Sequence, residues 1–325
     1  MKVPVIIAAV LIAAALFLVV SPGDGRPEDA GNTPEGRRAR VVKKVFRAVG
    51  LLLALYVLLG LLMYVLRDRF IYHPERRIPQ EAERPDEVQD CHFTTEDGLQ
   101  LHGWWRPAGD AEDAPVVLWF HGNAGDISRR VDNLQMMPDS LNVFLIDYRG
   151  FGRSEGHPSE EGLYEDARAA HRYLVEERDI APERIVVFGR SLGAAVALQL
   201  GLERPVGAVI MESPFRSVAA MAQAMFPFLP AGFMVGDMYD NVSKVKDLDV
   251  PLLVIHGTED DLVPFGHGRA VYEAAGASAE LYPIDGAGHN DTYQVGGSAY
   301  FERLLNFCRE HSEEEAPTAR QNTGD

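Results

Sequence analysis

The chain has 325 residues, 46% of them hydrophobic and 24% charged, with a formal net charge of −17 at pH 7. Residues 1–74 hold ten Lys or Arg and five Asp or Glu, which leaves the remainder at −22. A globular part with this much negative charge repels nucleic acid and is not attracted to anionic lipid headgroups. The two cysteines, Cys91 and Cys308, lack a metal-ligand spacing. We therefore expect unpaired thiols rather than a disulfide, and neither a metal site nor a cofactor.

Two apolar runs near the N-terminus predict contact with a membrane. Residues 3–20 and 48–66 are uncharged, and each is about as long as a helix that crosses the hydrocarbon core. Six Lys or Arg lie between them, at positions 37–47. The division is an apolar segment with a basic linker over 1–47 and a transmembrane helix over 48–66; a buried core helix is the alternative for that second run. Since basic clusters stay cytoplasmic, we expect the rest of the chain on the non-cytoplasmic face.

The first apolar run admits three interpretations. It is a cleaved signal peptide, although no small-x-small site precedes Ser21; or a spanning helix with its amino end outside; or translation begins near Val41 or Val42 and the run lies upstream of the protein. All three leave the second run in the same orientation. A cytoplasmic position for the remaining chain is the alternative that contradicts the charge rule.

Residues 75–311 have the pattern of one α/β domain with a mostly parallel sheet. Two amphipathic strands, at 88–94 and 99–107, are predicted to open it as an antiparallel edge exposed on one face. Buried strands and helical runs then alternate. Strands are predicted at 115–120, 142–147, 184–188, 206–211, 251–255 and 281–284, and helices at about 126–138, 159–177 and 192–203. Residues 312–325 form an acidic tail that is predicted to be disordered.

The most informative motif is G-x-S-x-G at residues 189–193, between a predicted strand and a predicted helix. This context is typical of a nucleophile elbow, a sharp turn that exposes a serine hydroxyl. Gly189 and Gly193 are explained sterically, because side chains there would collide with the neighbouring strand and helix. Ser191 is therefore the predicted nucleophile; the alternative is an ordinary serine in a glycine-rich turn.

A nucleophilic serine needs a base, and the base needs an orienting acid. Asp260, in the loop after the strand at 251–255, is the predicted acid, with Asp261 and Glu259 as local competitors. Glu212, at the end of the strand before, is a rarer position for the acid.

His289 is the predicted base. It is the one histidine between the last predicted strand and the last predicted helix, in a loop with two glycines. An oxyanion would need two amide donors. We predict the backbone N–H of Leu192, directly after the serine, and that of Asn123, in the loop after the strand at 115–120.

These motifs together resemble the membrane-anchored branch of the α/β-hydrolase superfamily, which includes the bud-emergence homologue proteins. The matching stretches are FIYHP at 70–74, HGNAG at 121–125, DYRGFGRSEG at 147–156, GRSLG at 189–193 and GHND at 288–291. The resemblance implies a serine hydrolase acting on acyl groups in esters, thioesters or amides. One departure is Ala194-Ala195, where relatives often carry another glycine.

A Met- and Phe-rich excursion at about 214–249 is predicted to form a small cap. Phe215 and Met225 are the candidate substrate-binding residues in an acyl-binding lid; short helices that merely pack on the sheet are the alternative. The prediction is a membrane-tethered serine hydrolase for a small-molecule or lipid-like acyl ester or thioester. A peptidase or amidase of the same fold and a non-catalytic binding scaffold are the alternatives, although such scaffolds generally lose a triad member.

Overall fold

An eight-stranded sheet forms the centre of the structure, a computed structural model that describes residues 34–75, 85–109, 113–228 and 231–312. The strands, in chain order, are β1 His73–Pro74, β2 Gln89–Thr94, β3 Gln100–Arg106, β4 Val116–Phe120, β5 Ala124–Gly125, β6 Asn142–Ile146, β7 Ile185–Arg190, β8 Ala208–Glu212, β9 Leu252–Gly257 and β10 Ala279–Ile284. The helices are α1 Pro34–Ile71, α2 Val131–Met136, α3 Glu160–Arg172, α4 Leu192–Glu203, α5 Val218–Met225, α6 Ala231–Val235, α7 Asn241–Lys244, α8 Gly266–Ala275 and α9 Thr292–Glu310.

The large sheet has the order β10-β9-β8-β7-β4-β6-β3-β2, and β1 pairs separately with β5. Strand β3 is antiparallel to β2 and to β6, and every other pairing in the large sheet is parallel. This confirms the predicted mostly parallel sheet with antiparallel N-terminal strands. The carboxyl ends of β4, β7, β8, β9 and β10 therefore meet at one edge, which is where ligands bind in open α/β sheets.

Alternate residues of the parallel strands supply two separate apolar cores, one on each face of the sheet. Cys91 belongs to one core and Cys308 to the other, and both are free thiols. The sheet between them explains why they do not form a disulfide.

Strand β3 differs from its prediction, because it is buried on both faces from Leu101 onwards. The predicted exposed face carries His102 and Trp104, and both rings are buried. Asp90 of the neighbouring strand lies within hydrogen-bond distance of both, 3.1 Å from His102 Nε2 and 3.0 Å from Trp104 Nε1. The alternation of polar and apolar residues predicts that His102 and Trp104 face solvent. Hydrogen bonding to Asp90 on the paired strand allows both side chains to be buried instead.

Helix α1 is, among the described residues, the one helix long and apolar enough to cross a membrane. The predicted span at 48–66 lies within it. The basic residues of the predicted linker continue the same helix as exposed N-terminal turns rather than forming a separate linker. The apolar run at 3–20 and the tail beyond residue 312 lie outside the described residues.

Candidate active site

Ser191 occupies a tight turn between β7 and α4, with φ 54° and ψ −113°. This left-handed backbone is rare for a residue with a side chain and stores strain. The flanking glycines make the turn possible: a Cβ at Gly189 would overlap the Gly193 carbonyl, and one at Gly193 would overlap the Phe120 carbonyl. The Ser191 amide donates to the Glu212 carbonyl at 2.8 Å, which ties the turn to the next strand.

Asp260 and His289 are in direct contact, with 2.7 Å between Asp260 Oδ2 and His289 Nδ1. Asp260 Oδ1 accepts hydrogen bonds from the Leu262 and Val263 amides, at 3.1 and 2.7 Å. Asp260 is buried, whereas the competing carboxylates of Glu259 and Asp261 are exposed. The structure thus brings the predicted acid and base together.

The surroundings of Asp260 keep it ionised. Burial alone would raise its pKa, but contacts with His256 and His289 and the Val263 amide outweigh burial and hold the pKa of Asp260 below its ordinary range. An ionised carboxylate only accepts hydrogen bonds, so His289 carries its proton on Nδ1. That tautomer leaves His289 Nε2 as a hydrogen-bond acceptor, the state that a general base requires.

Arg190 joins the histidine loop to the serine turn. Its Nη2 donates to the His289 carbonyl at 2.5 Å and to Asn290 Oδ1 at 3.3 Å. Because Arg190 directly precedes Ser191, this bond holds the loop that carries the base against the turn that carries the serine. We did not predict this role from the sequence.

Glu212 holds Arg190 and is not in the acid position. Its carboxylate lies 3.8 Å from Arg190 Nε and accepts hydrogen bonds from the Thr292 and Tyr300 hydroxyls. Strands β7 and β8 place Arg190 opposite Glu212 in register. An arginine and a glutamate at the ends of consecutive strands were therefore the available sequence signal for this pair.

The two predicted oxyanion donors border the serine turn. Leu192 N–H lies at the first position of α4, where the helix dipole favours negative charge. The loop that carries Asn123 packs against the turn, since a Cβ on Gly122 would lie 3.8 Å from Ser191 Cβ. Among the described residues, neither the Asn123 nor the Leu192 amide has a hydrogen-bond partner. Within the described part of the chain, both N–H groups are open to a ligand.

The end of α1 is bonded to the same loop. His73 N–H donates to the Asn123 carbonyl at 2.9 Å, and Asn123 Nδ2 donates to the Ile71 carbonyl at 2.9 Å. Glu75 N–H donates to the Gly125 carbonyl at 3.2 Å, alongside the parallel β1–β5 pair. The segment that leaves the apolar helix therefore fixes Asn123 on both sides, a role that we did not predict.

Comparison with known proteins gives the family. A family model described as "Serine aminopeptidase, S33" matches residues 111–235. An uncharacterised protein of Mycobacterium tuberculosis strain H37Rv is 36% identical over 255 residues, which cover 77% of this chain and 91% of the relative. The α/β-hydrolase domain-containing protein WAV2 of Arabidopsis thaliana is 33% identical over 246 residues, 70% of this chain and 80% of the relative. The chain belongs to the α/β-hydrolase superfamily.

Solved structures of the superfamily have the same fold. An esterase of Pyrococcus furiosus superposes with a TM-score of 0.59 at 24% identity, covering 74% of this chain and all of that chain. An α/β-hydrolase of Vibrio vulnificus gives a TM-score of 0.61 at 21% identity, covering 77% of this chain and 92% of that one. The predicted α/β-hydrolase fold is confirmed.

The cap of this α/β-hydrolase, residues 214–249, consists of the short helices α5, α6 and α7. Phe215 is buried in the core against Tyr239, with ring centroids 6.4 Å apart. Met225 lies exposed at the end of α5. The structure does not bring the two candidate substrate-binding residues together, and their role stays a prediction.

His121, in the Asn123 loop of the hydrolase, gives a testable dependence of stability on pH. Burial, helped by the positive charge of Arg130, lowers the pKa of His121 to about 3 from an ordinary value of 6.5. Below pH 6.5 His121 is protonated in the unfolded chain, but in the folded chain it stays neutral down to about pH 3. The free energy of unfolding therefore falls as the pH falls from 6.5 towards 3. His121 should therefore destabilise the fold by about 2 kcal/mol at pH 5 relative to pH 8, at about 1.4 kcal/mol per pH unit.

The measurement is urea unfolding at pH 8 and pH 5. His121→Phe should lose this share of the pH dependence, whatever its stability at pH 8. His157→Gln, at an exposed histidine, should keep the wild-type difference between the two pH values. Equal pH dependence in wild type and His121→Phe would show that His121 does not stay neutral in the folded chain at pH 5.

Proposed function

We propose that this protein is a serine hydrolase that cleaves an acyl ester or thioester through an acyl-enzyme. The observation that carries the proposal is the Asp260–His289 pair, held by Arg190 against the strained turn of Ser191. Burial singles out Asp260 from its acidic neighbours, and two amides without partners among the described residues border the same turn. These are the parts that acyl transfer by a serine requires.

In the proposed mechanism, Ser191 Oγ attacks the acyl carbonyl while His289 Nε2 takes its proton. The bond to the leaving group breaks as His289 returns that proton to the leaving oxygen or sulfur. The Asn123 and Leu192 amides stabilise the oxyanion of each tetrahedral intermediate. Water then attacks the acyl-enzyme with His289 again as base, which releases the acid and restores Ser191.

Helix α1 supports the membrane part of the proposal. Its apolar length is sufficient to span, and its N-terminal turns carry exposed basic residues. By the positive-inside rule those turns are cytoplasmic, and the catalytic domain lies on the non-cytoplasmic face with a lipid-like acyl substrate within reach. Alkaline phosphatase fused after residue 312 should then be active in cells; an inactive phosphatase with an active cytoplasmic reporter would place the domain inside.

Amide hydrolysis is the second candidate, favoured by the description of the matching family model as a serine aminopeptidase. A panel separates the two: p-nitrophenyl esters and acyl thioesters of increasing chain length, against aminoacyl p-nitroanilides. Turnover of the anilides at rates comparable to the best ester would favour the peptidase. A binding scaffold would turn over none of them.

Fluorophosphonate labelling is the direct test of the nucleophile. The wild-type protein should be labelled, and Ser191→Ala should not be, because the reagent phosphonylates only an activated serine. Ser243→Ala, which removes an exposed hydroxyl from α7, is the matched control and should be labelled like the wild type. An unlabelled wild type, or a labelled Ser191→Ala, would refute the proposed mechanism.

A further inference from the structure

The cap packs directly against the apolar part of α1. A Cβ added to Gly60 would lie 3.0 Å from Met234 Cε of α6, so the Met234 side chain rests on the helix backbone at that point. Seven residues further on, Arg67 Nη1 donates to the Val235 carbonyl at 3.1 Å. Helix α6 therefore lies alongside the last turns of α1 rather than beyond its end.

These two contacts fix the level of the cap relative to a bilayer that α1 crosses. Arg67 and Asp68 are the first charges after the apolar span, and they line a cavity of about 470 Å³ together with Glu160, Glu161 and Lys244. So many charges belong at the headgroup level. Gly60 lies about 10 Å deeper along the helix axis, at 1.5 Å per residue. Met234 thus reaches the depth at which interfacial helices sit, about 5–10 Å below the headgroups.

The composition of the cap suits that depth. Residues 217–236 contain no charged side chain, although a quarter of the whole chain is charged. The tip of the cap carries large apolar side chains that nothing in the described structure covers: Met225 is 67% exposed, Phe226 43% and Phe228 96%. Side chains of this size usually lie inside a protein or within an interface. They lie at the end of helix α5 and just after it, and α5 packs against α6, the cap helix that contacts α1.

We propose that the cap inserts into the leaflet that surrounds α1, with Phe228 among the acyl chains. This proposal rests on the membrane tether proposed above and deepens it. With the cap in the leaflet, lipid would lie next to the entrance of the proposed active site. The substrate class is therefore a long-chain acyl ester or thioester that reaches Ser191 from within the bilayer. We propose lipid as the partner of the exposed cap surface because the Gly60–Met234 contact lies at the depth of the acyl chains, where lipid would surround both α1 and α6.

Brominated phospholipids test the insertion, since bromine quenches tryptophan only at contact within the acyl chains. The full chain carrying Phe228→Trp is reconstituted in phosphatidylcholine vesicles with and without brominated chains. The native tryptophans are buried in the protein core and supply a constant background; they are Trp104, Trp105 and Trp119. Val295→Trp, at an apolar residue on α9 that is 48% exposed, is the matched control. We expect bromine to quench the emission added by Phe228→Trp about twofold or more, and to leave that added by Val295→Trp unchanged.

Three outcomes would overturn the insertion. If the protein resists alkaline extraction but the emission of the Phe228→Trp variant is unquenched, the membrane tether is supported and the insertion of the cap is refuted. Emission that is blue-shifted but unquenched in the same variant would assign the cap tip to a second copy or another protein. Protein that is extracted by alkali refutes the tether and the insertion together.

Substrate presentation gives a second measurement. Phe228→Asp should lower the rate on a long-chain ester embedded in vesicles about tenfold or more relative to the rate on p-nitrophenyl acetate in solution, because a charge at this depth opposes insertion. Val295→Asp should leave this ratio at the wild-type value. Equal ratios in the two variants would overturn the proposed route from the bilayer. A different outcome separates the two proposals. If the emission of the Phe228→Trp variant is quenched but the wild-type protein hydrolyses no ester, the insertion of the cap is supported and the proposed hydrolase activity is refuted.

Discussion

Replacing Asp260 with Asn is expected to lower kcat on a soluble ester by about 10⁴-fold, with little change in KM. The ionised carboxylate accepts the Nδ1 proton of His289 at 2.7 Å and so keeps Nε2 free to take the serine proton. An amide at this position can donate to Nδ1, which puts the imidazole proton on Nε2 and blocks the base. The shape of the site would change little, because Asn has nearly the same size as Asp. Steady-state kinetics with p-nitrophenyl acetate provide the measurement.

Asp261→Asn is the matched control for the acid. This substitution removes the same charge one residue away, but the Asp261 side chain is exposed and the His289 contact belongs to Asp260. We expect the kcat of Asp261→Asn within about threefold of wild type, since an exposed charge at this distance is strongly screened. Similar losses in the two variants would assign the effect to the charge of the loop and not to a specific acid. Thermal unfolding of Asp260→Asn should show that the folded state persists.

The serine turn was predictable because its constraints are local. A strand, two glycines that the turn requires, and a helix follow one another along the chain without interruption, and helix α4 has the predicted bounds at 192–203. The predicted acid was harder to choose from the sequence. Spacing from Gly257 and Val263 favoured Asp260 but left Glu259 and Asp261 as competitors. Burial separates the three only once the loop after β9 has folded onto the loop after β10.

The supporting contacts escaped prediction because they join segments far apart in the chain. Arg190 reaches the carbonyl of His289, 99 residues away, and a carbonyl carries no sequence signal at all. The end of α1 reaches the Asn123 loop in the same way, through backbone groups. Alternating polarity on β3 predicted exposure, but a side-chain partner on β2 reversed it. Side-chain identity predicts which groups do chemistry better than it predicts what holds them in place.

His73→Pro is expected to lower kcat on the same soluble ester by about 10²-fold. Proline lacks the amide that donates to the Asn123 carbonyl at 2.9 Å, so that hydrogen bond is lost. The Asn123 Nδ2–Ile71 and Glu75–Gly125 bonds remain. The proposed oxyanion donor is the N–H of Asn123. Complete removal of such a donor costs about 10²–10³-fold in kcat. An Asn123 backbone that is no longer held by the His73 amide would lose most of that stabilisation, even though every proposed catalytic residue is still present.

His73→Ala is the control, because it removes the exposed imidazole and keeps the amide. It should retain kcat within about twofold, and the rate of fluorophosphonate labelling should fall in parallel with kcat in His73→Pro alone, since the phosphonyl oxygen uses the same donors. Equal activity in the two variants would mean that Asn123 keeps its position without the hydrogen bond from the His73 amide. A specific loss in His73→Pro would mean that the segment following α1 holds one of the two proposed oxyanion donors in position, so that α1 and the proposed active site depend on each other.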